Sequence, residues 1–545
     1  MGPALAVAQG VPKIGVVAAA LAVAAVLVDR DRRRRGAFMV AALVLAAVLL
    51  VGHIADTEQF KSVTDDVRKA VSLGLVGGAA VAGLAVLFTR RPQALPLAAV
   101  AVLPFRIPVE AGGSTANLLV PLYLVIAGGC LAYAWRVLSA NSSRPQPDTG
   151  ASPPRRLAAP PPLADRRPMF VSAALAAFVV LYALQSLYSR DFDQALEQVV
   201  FFYVPFALLF RLLVEVEWSS RLVLACGAVA VGLALVFCGI GFWEYDRREL
   251  LWNPKVIAAN QLQSYFRVNS VFWDPNIYGR FLMLVMLVVT AFVLWERRTR
   301  IVLGAAVVLA ILWGGLVLTF SQSSFAALLA GLAVLSALRW DARRTAAAAL
   351  GGVVAASVFV LAFQSTLKIH LGSSSGVNNV TSGRGDLVAG GVELIGKRPL
   401  WGFGSGSFGR AYRQERKGNQ QEAVSASHTM PITIAAEQGL IGLSAYLAVL
   451  FVSFMTLFGN GGIRGSRAPP SLDGSSRSGF LSARAALAAM FSALVIHTLG
   501  YAAVLEDPFT WVILATGVAL APCATLAKSR VRATPESRAV VPAAT

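Results

Sequence analysis

The sequence predicts an all-α polytopic membrane protein, with about 14–15 transmembrane helices and one large helical extracytoplasmic loop. Three observations predict it. The 545 residues are 56% hydrophobic and only 14% charged, where soluble chains carry about 25% charge. The apolar residues form runs long enough to cross hydrocarbon as helices. The charges gather in short arginine-dense breaks between those runs, as topology signals do.

In chain order, spans are expected near 12–28, 37–54, 69–88, 94–109, 115–136, 169–188, 196–214, 220–242, 277–295, 301–318, 321–338, 345–363, 431–458, 484–503 and 509–527. The first run is followed by its charge block, Arg30 and Arg32 to Arg35. That order argues for a first span with its N-terminus outside and against a cleavable signal peptide. The basic breaks at 29–36, 89–93, 137–168, 296–300, 339–344, 459–483 and after 527 then all fall in the cytoplasm. The weakest span is 94–109, which is short and contains Pro96, Pro104 and Arg106. Charge bias requires it to cross, because otherwise the arginine-rich stretch 137–168 lies outside.

The chain accordingly divides into an N-terminal transmembrane region, 1–136, and a linker, 137–168. A central transmembrane region, 169–363, carries an outer loop at 243–276. An extracytoplasmic loop, 364–430, a C-terminal transmembrane region, 431–527, and a cytoplasmic tail, 528–545, complete it. The linker is rich in proline and arginine and is expected to be a disordered connector. The loop 364–430 is far longer than a connector needs and has helical patterning, which favours a functional role.

The net charge of +19 would suggest nucleic acid in a soluble protein. Here the arginines cluster at span ends, so they face anionic lipid, and no nucleic-acid partner is expected. Cys130, Cys226, Cys238 and Cys523 are scattered in apolar stretches, without metal-type spacing.

Within 364–430, a helix is expected from Arg384 to Ile395, capped by Thr381 or Ser382 and stopped by Gly396 and Pro399. At 100° per residue, Arg384, Val388, Gly391 and Ile395 form one stripe flanked by Leu387 and Leu394. Such a helix lies on the membrane surface or packs against the spans. Lys397, Arg398, Arg410, Arg413, Arg416 and Lys417 follow. A solvated basic face is the plain reading. Positive charge outside nevertheless runs against the usual bias, and an anionic substrate gives it a reason, since arginine forks match phosphate oxygens.

His428 ends the loop, and Pro431 fits the first turn of the helix that follows. The helix dipole there favours anions and a neutral imidazole. On a continuous helix, Gly439 and Gly442 fall on the stripe of His428 and allow close helix approach. In the other outer loop, Asp274–Pro275 reads as a helix start. Asn276 and Arg280 then share one face. Arg280 opposes the helix dipole at the membrane edge, where a charge is a functional candidate unless it snorkels. Arg267 precedes them. Glu437 and His497 lie inside spans and read as polar contacts between helices.

These residues resemble the O-antigen ligase and polymerase family over about 310–456. His428 is followed by Thr429, nine residues, Gly439, two residues and Gly442, a spacing similar to the family's histidine–glycine pattern, with Thr429 a mild departure. The stretch SGRGDLVAGGVELIGKRPLWGFGSGSF resembles the family's arginine, amphipathic helix, proline and glycine-rich turn, with Arg384 matching the arginine. RVNSVFWDPNIYGR resembles the segment before its central spans. Gln322 stands where the family often has an arginine.

The resemblance implies a GT-C-like membrane glycosyltransferase of ligase or polymerase type, without metal or other cofactor. It would take a glycan from a polyprenyl-diphosphate carrier and pass it to a glycan or lipid acceptor at the outer face of the cytoplasmic membrane. It implies catalytic roles for His428 and Arg384. Arg267, Arg280, Asn276 and Arg410 are diphosphate-binding candidates, and Glu437, Gln322 and Asp274 are secondary ones. His428 either activates the acceptor hydroxyl or binds phosphate. Trp401, Phe403, Phe408 and Tyr412 are candidates to stack on sugar rings. A polytopic transporter is one alternative, but its polar path would lie at the midplane. A non-catalytic membrane assembly protein is another.

Overall fold

The computed structural model describes residues 3–55, 61, 65–111, 114–139, 167–251, 253–262, 265–340, 343–345, 384–416, 429–459, 474–501 and 504–532. It is a helical bundle in which, among the described residues, twelve helices are long and apolar enough to cross a membrane. The helices are α1 (Pro3–Val28), α2 (Arg32–Ile54), α3 (Val67–Arg90), α4 (Ala94–Val102), α5 (Val120–Ser139), α6 (Arg167–Ser186) and α7 (Phe192–Val214). They continue with α8 (Ser220–Arg247), α9 (Pro254–Leu262), α10 (Pro275–Trp295), α11 (Thr299–Leu318) and α12 (Gln322–Arg339). The last are α13 (Arg384–Lys397), α14 (Phe408–Arg416), α15 (Met430–Phe458), α16 (Gly474–His497) and α17 (Pro508–Arg532). The expected span 345–363 lies outside the described residues, as does most of the linker 137–168. The described apolar part of α17, Pro508–Ala521, is shorter than a full span.

The expected span 94–109 needs correction. Only Ala94–Val102 is helical, nine residues or about 14 Å, less than half the hydrocarbon. Its helix gives out before Pro104, and a hairpin of β1 (Ile107–Ala111) and β2 (Ser114–Leu118) follows, pairing Ile107 with Leu118. The next span therefore starts at Val120 rather than 115. The chain still reaches the far end of the bundle, because Arg106 lies within electrostatic reach of Asp507 and Arg280.

The two ends of the bundle differ chemically. At one end, Glu215 after α7 binds Arg35 of α2 at 2.6 Å and Arg211 of α7. Arg35 also donates to Tyr133 Oη of α5 at 3.1 Å. These contacts gather the basic ends of α1, α2, α5 and α7. The other end carries the loops. There α15 starts beside the end of α16, where Met430 N donates to Thr498 O at 3.2 Å and Thr429 Oγ1 to Leu499 O at 3.2 Å. A π-helical turn, Val199–Tyr203, interrupts α7.

Candidate functional site

Two polar assemblies occupy the loop end. The first begins with the Asp274–Pro275 start of α10, where Asp274 Oδ1 accepts from Asn276 N at 2.6 Å. This side chain supplies the acceptor that a helix N-terminus lacks. One turn on, Arg280 is 2% exposed and pairs with Asp507 at 2.9 Å. Arg280 therefore does not snorkel. Its charge is neutralised inside the bundle, and its guanidinium also lies 5.5 Å from the Tyr501 ring. Asp507 caps α17 as Asp274 caps α10, accepting from Phe509 N at 3.0 Å.

Arg267 is placed against the same helix start. Its Nη2 donates to Asn276 Oδ1 at 3.1 Å and its Nε to Thr319 O at 2.9 Å. The backbone of Arg267 is held from the other side by Asn260, which donates to its carbonyl at 2.9 Å and accepts from its N–H at 3.1 Å. The α11–α12 turn approaches α10 closely at Gly279, where a Cβ would stand 2.8 Å from Ser324 Oγ. Ser324 Oγ lies 2.8 Å from Ser321 Oγ and 3.2 Å from His497 Nε2. His497 is thus a buried polar contact between α16 and α12. Gln322 is exposed in the first turn of α12.

The second assembly corrects the reading of Gly439 and Gly442 as a stripe on a continuous helix. α15 is broken at Gly439, which has φ +67° and ψ −167°, a conformation essentially confined to glycine. The break frees backbone groups on both sides, and the glycine-rich turn before α14 satisfies them. Phe403 N donates to Ala436 O at 3.1 Å and Gly404 N to Glu437 O at 2.8 Å. Leu440 N donates to Pro399 O at 2.7 Å and Ile441 N to Leu400 O at 3.4 Å. Gln185 of α6 donates to Gln438 O at 3.1 Å. Irregular backbone survives at membrane depth only with such internal partners. A Cβ on Gly439 would meet Leu400 O at 2.1 Å.

Glu437 completes this plug. Its carboxylate accepts from Gly406 N at 2.9 Å and Phe408 N at 3.0 Å. It therefore orders the glycine-rich turn rather than bridging two helices by side chains. Phe403, Phe408 and Tyr412 are buried with Leu394, Ala411 and Ala436 in a small core between α13, α14 and α15. These three rings are packing residues, not exposed sugar platforms. Trp401 remains exposed. The apolar stripe of α13 packs onto the spans, with Leu387 and Ile395 at the margin of this core.

Arg410 is held elsewhere. It donates to Arg190 O at 2.7 Å and faces Asp191 at 3.8 Å, tying α14 to the α6–α7 turn. Lys397 pairs with Glu415 at 3.0 Å and Glu393 at 3.1 Å, and the hydrogen bond that Lys397 donates holds the Glu415 carboxyl below the usual range. Burial pushes the carboxyl of Glu506, the neighbour of Asp507, up to about 7. Arg384 opens α13 as expected, but its side chain lies outside the described residues, as do Thr381, Ser382 and all of His428. Among the described residues, no three His, Cys, Asp or Glu side chains group as metal ligands.

The structure brings Arg267 to Asn276 and Arg280 to Asp507; the sequence pattern singles out the first three of these residues but not Asp507. The available signal was a repeat: Asp507–Pro508 has the same helix-start chemistry as Asp274–Pro275.

The described helices define a polytopic membrane protein with a polar cluster beside its helix starts. Residues 307–447 match the family model described as O-antigen ligase, so that segment is similar to the O-antigen ligase family. Gln322, Arg384, Arg410, His428 and Glu437 fall inside the matched segment; Arg267, Asp274, Asn276 and Arg280 precede it. No curated protein matches the chain.

Proposed function

We propose that this protein is a ligase- or polymerase-type glycosyltransferase. It moves a glycan from a polyprenyl-diphosphate carrier to a hydroxyl acceptor at the outer face of the cytoplasmic membrane. The observation that carries this reading is the convergence of Arg267, Asn276, Arg280 and Asp507 on the start of α10, in a chain with an O-antigen ligase segment. Buried arginine at a membrane edge is costly, by about 2.5–3.5 kcal/mol at full depth. Such a charge is retained where it serves a function.

In this reading, Arg267 and Arg384 hold the diphosphate, while Arg280, neutralised by Asp507, fixes the start of α10 against α17. The acceptor oxygen attacks the anomeric carbon, and the bond from that carbon to the diphosphate oxygen breaks. The diphosphate departs with the electron pair, its growing charge stabilised by the guanidinium groups. His428 takes the proton of the acceptor hydroxyl or binds phosphate. The reaction needs no metal in this scheme.

The test is reconstitution of the full chain in proteoliposomes with a polyprenyl-diphosphate-linked glycan. Wild-type protein should release polyprenyl diphosphate and lengthen the acceptor. Arg267→Gln should lower the rate at least tenfold. Equal rates in the two proteins would remove the diphosphate-binding assignment.

A further inference from the structure

A second feature of the loop end lies apart from the α10 cluster. A groove of 580 Å³ is lined by Tyr188, Arg398, Pro399, Leu400, Trp401 and Gly402. Its walls are the end of α6 and the outer side of the turn that plugs the α15 break. Tyr188 Oη donates to Trp401 O at 2.7 Å, which fixes the two walls together. Arg384 opens α13 and Arg398 follows its last residue, so the two stand a helix of 14 residues apart, about 21 Å. The groove shares no lining residue with the α10 cluster.

Its chemistry has two halves. Leu400 and Trp401 are 58% and 59% exposed, and Leu184 near the end of α6 and Leu187 just after it, beside the lining residue Tyr188, are also exposed. On a membrane-spanning helix such a face meets acyl chains, and Trp and Tyr at its end mark the interface. Arg398 supplies the other half. Lys397, Arg190 and Arg410 are each committed to Glu393, Glu415 or Asp191. Arg398 pairs with no carboxylate among the described residues and lies 4.9 Å from the Phe403 ring. An uncommitted guanidinium above an apolar trough fits one phosphodiester above one acyl chain.

We propose that this groove seats an anionic phospholipid of the surrounding leaflet, with its phosphate on Arg398 and one chain along Leu400, Trp401 and Leu187. The seated lipid covers the turn 399–404 and so stabilises the plug of the broken helix α15. The proposal does not depend on the glycan-transfer reading, and its test uses no glycan.

The experiment measures the thermal midpoint of the full chain in detergent, with each protein referred to its own lipid-free value. Phosphatidylglycerol, phosphatidylcholine and inorganic phosphate are added separately. Phosphatidylglycerol should raise the wild-type midpoint by several degrees. Arg398→Gln and Trp401→Ala, both surface changes, should lose at least half of that shift. Phosphatidylcholine should act more weakly, and inorganic phosphate should have no effect. Full shifts in both variants would overturn the site. Equal action of phosphatidylcholine would overturn the headgroup assignment, and a full shift with phosphate alone would overturn the lipid.

Discussion

Arg280 of α10 and Asp507 at the start of α17 form an ion pair at 2.9 Å, with side chains only 2% and 1% exposed. The pair joins two helices that are far apart in sequence, at the end of the bundle that carries the proposed site. Removing either partner leaves a charge buried without its counter-ion, which typically costs 3–5 kcal/mol. Arg280→Ala and Asp507→Ala should each lower stability by about that amount. The double variant should lose clearly less than the sum, as a double-mutant cycle of denaturation midpoints would record.

The break in α15 predicts a sharp difference between glycines. Gly439→Ala places a Cβ 2.1 Å from Leu400 O at φ +67°, and Gly402→Ala places one 2.3 Å from Glu437 O at φ +66°. Neither clash can be relieved without moving backbone. Each substitution should destabilise the protein by more than about 2 kcal/mol. Gly232→Ala in α8, where a Cβ meets nothing within 4 Å, should be neutral or stabilising. Thermal midpoints of the three variants test the ordering.

Glu437 should be sensitive to isosteric replacement. Its two oxygens accept from Gly406 N and Phe408 N. Glu437→Gln retains one acceptor and turns an amide N–H toward a backbone N–H. The expected loss is about 1–3 kcal/mol, with faster proteolysis inside residues 399–408. An unchanged cleavage rate would mean that the carboxylate does not order the turn.

Glu506 gives a pH dependence with a definite sign. Its folded-state pKa, raised by burial to about 7, lies above the value near 4.3 of an unfolded chain. The folded protein then binds more protons than the unfolded one between these values, so this group lowers stability as pH rises through that window. Above about 7 the effect levels off. Glu506→Gln should flatten the fall in thermal midpoint between pH 5 and 7, which a pH series on both proteins would show.

Much of this architecture was legible because hydropathy and charge act at the scale of a whole span. The helix starts at Asp274 and Pro275 were legible for a local reason, since capping uses adjacent residues. The features that escaped depend on tertiary context. The segment 94–109 has the composition of a span, but Pro104 and the β1–β2 pairing end its helix early. Gly439 keeps helical composition on both sides, so a helical wheel assumes continuity where the backbone reverses its φ. Phe403, Phe408 and Tyr412 stand in a polar loop and resemble ligand platforms until the loop is seen to form its own core. The Arg280–Asp507 pair has no sequence spacing that announces it.

Glycan transfer is read out in the native host by the level of lipid-linked glycan. His428→Ala and Arg384→Ala should each cause the polyprenyl-linked precursor to accumulate and the finished polymer to fall, with the protein still present in the membrane. Unchanged precursor and polymer in both variants would mean that His428 and Arg384 take no part in glycan transfer.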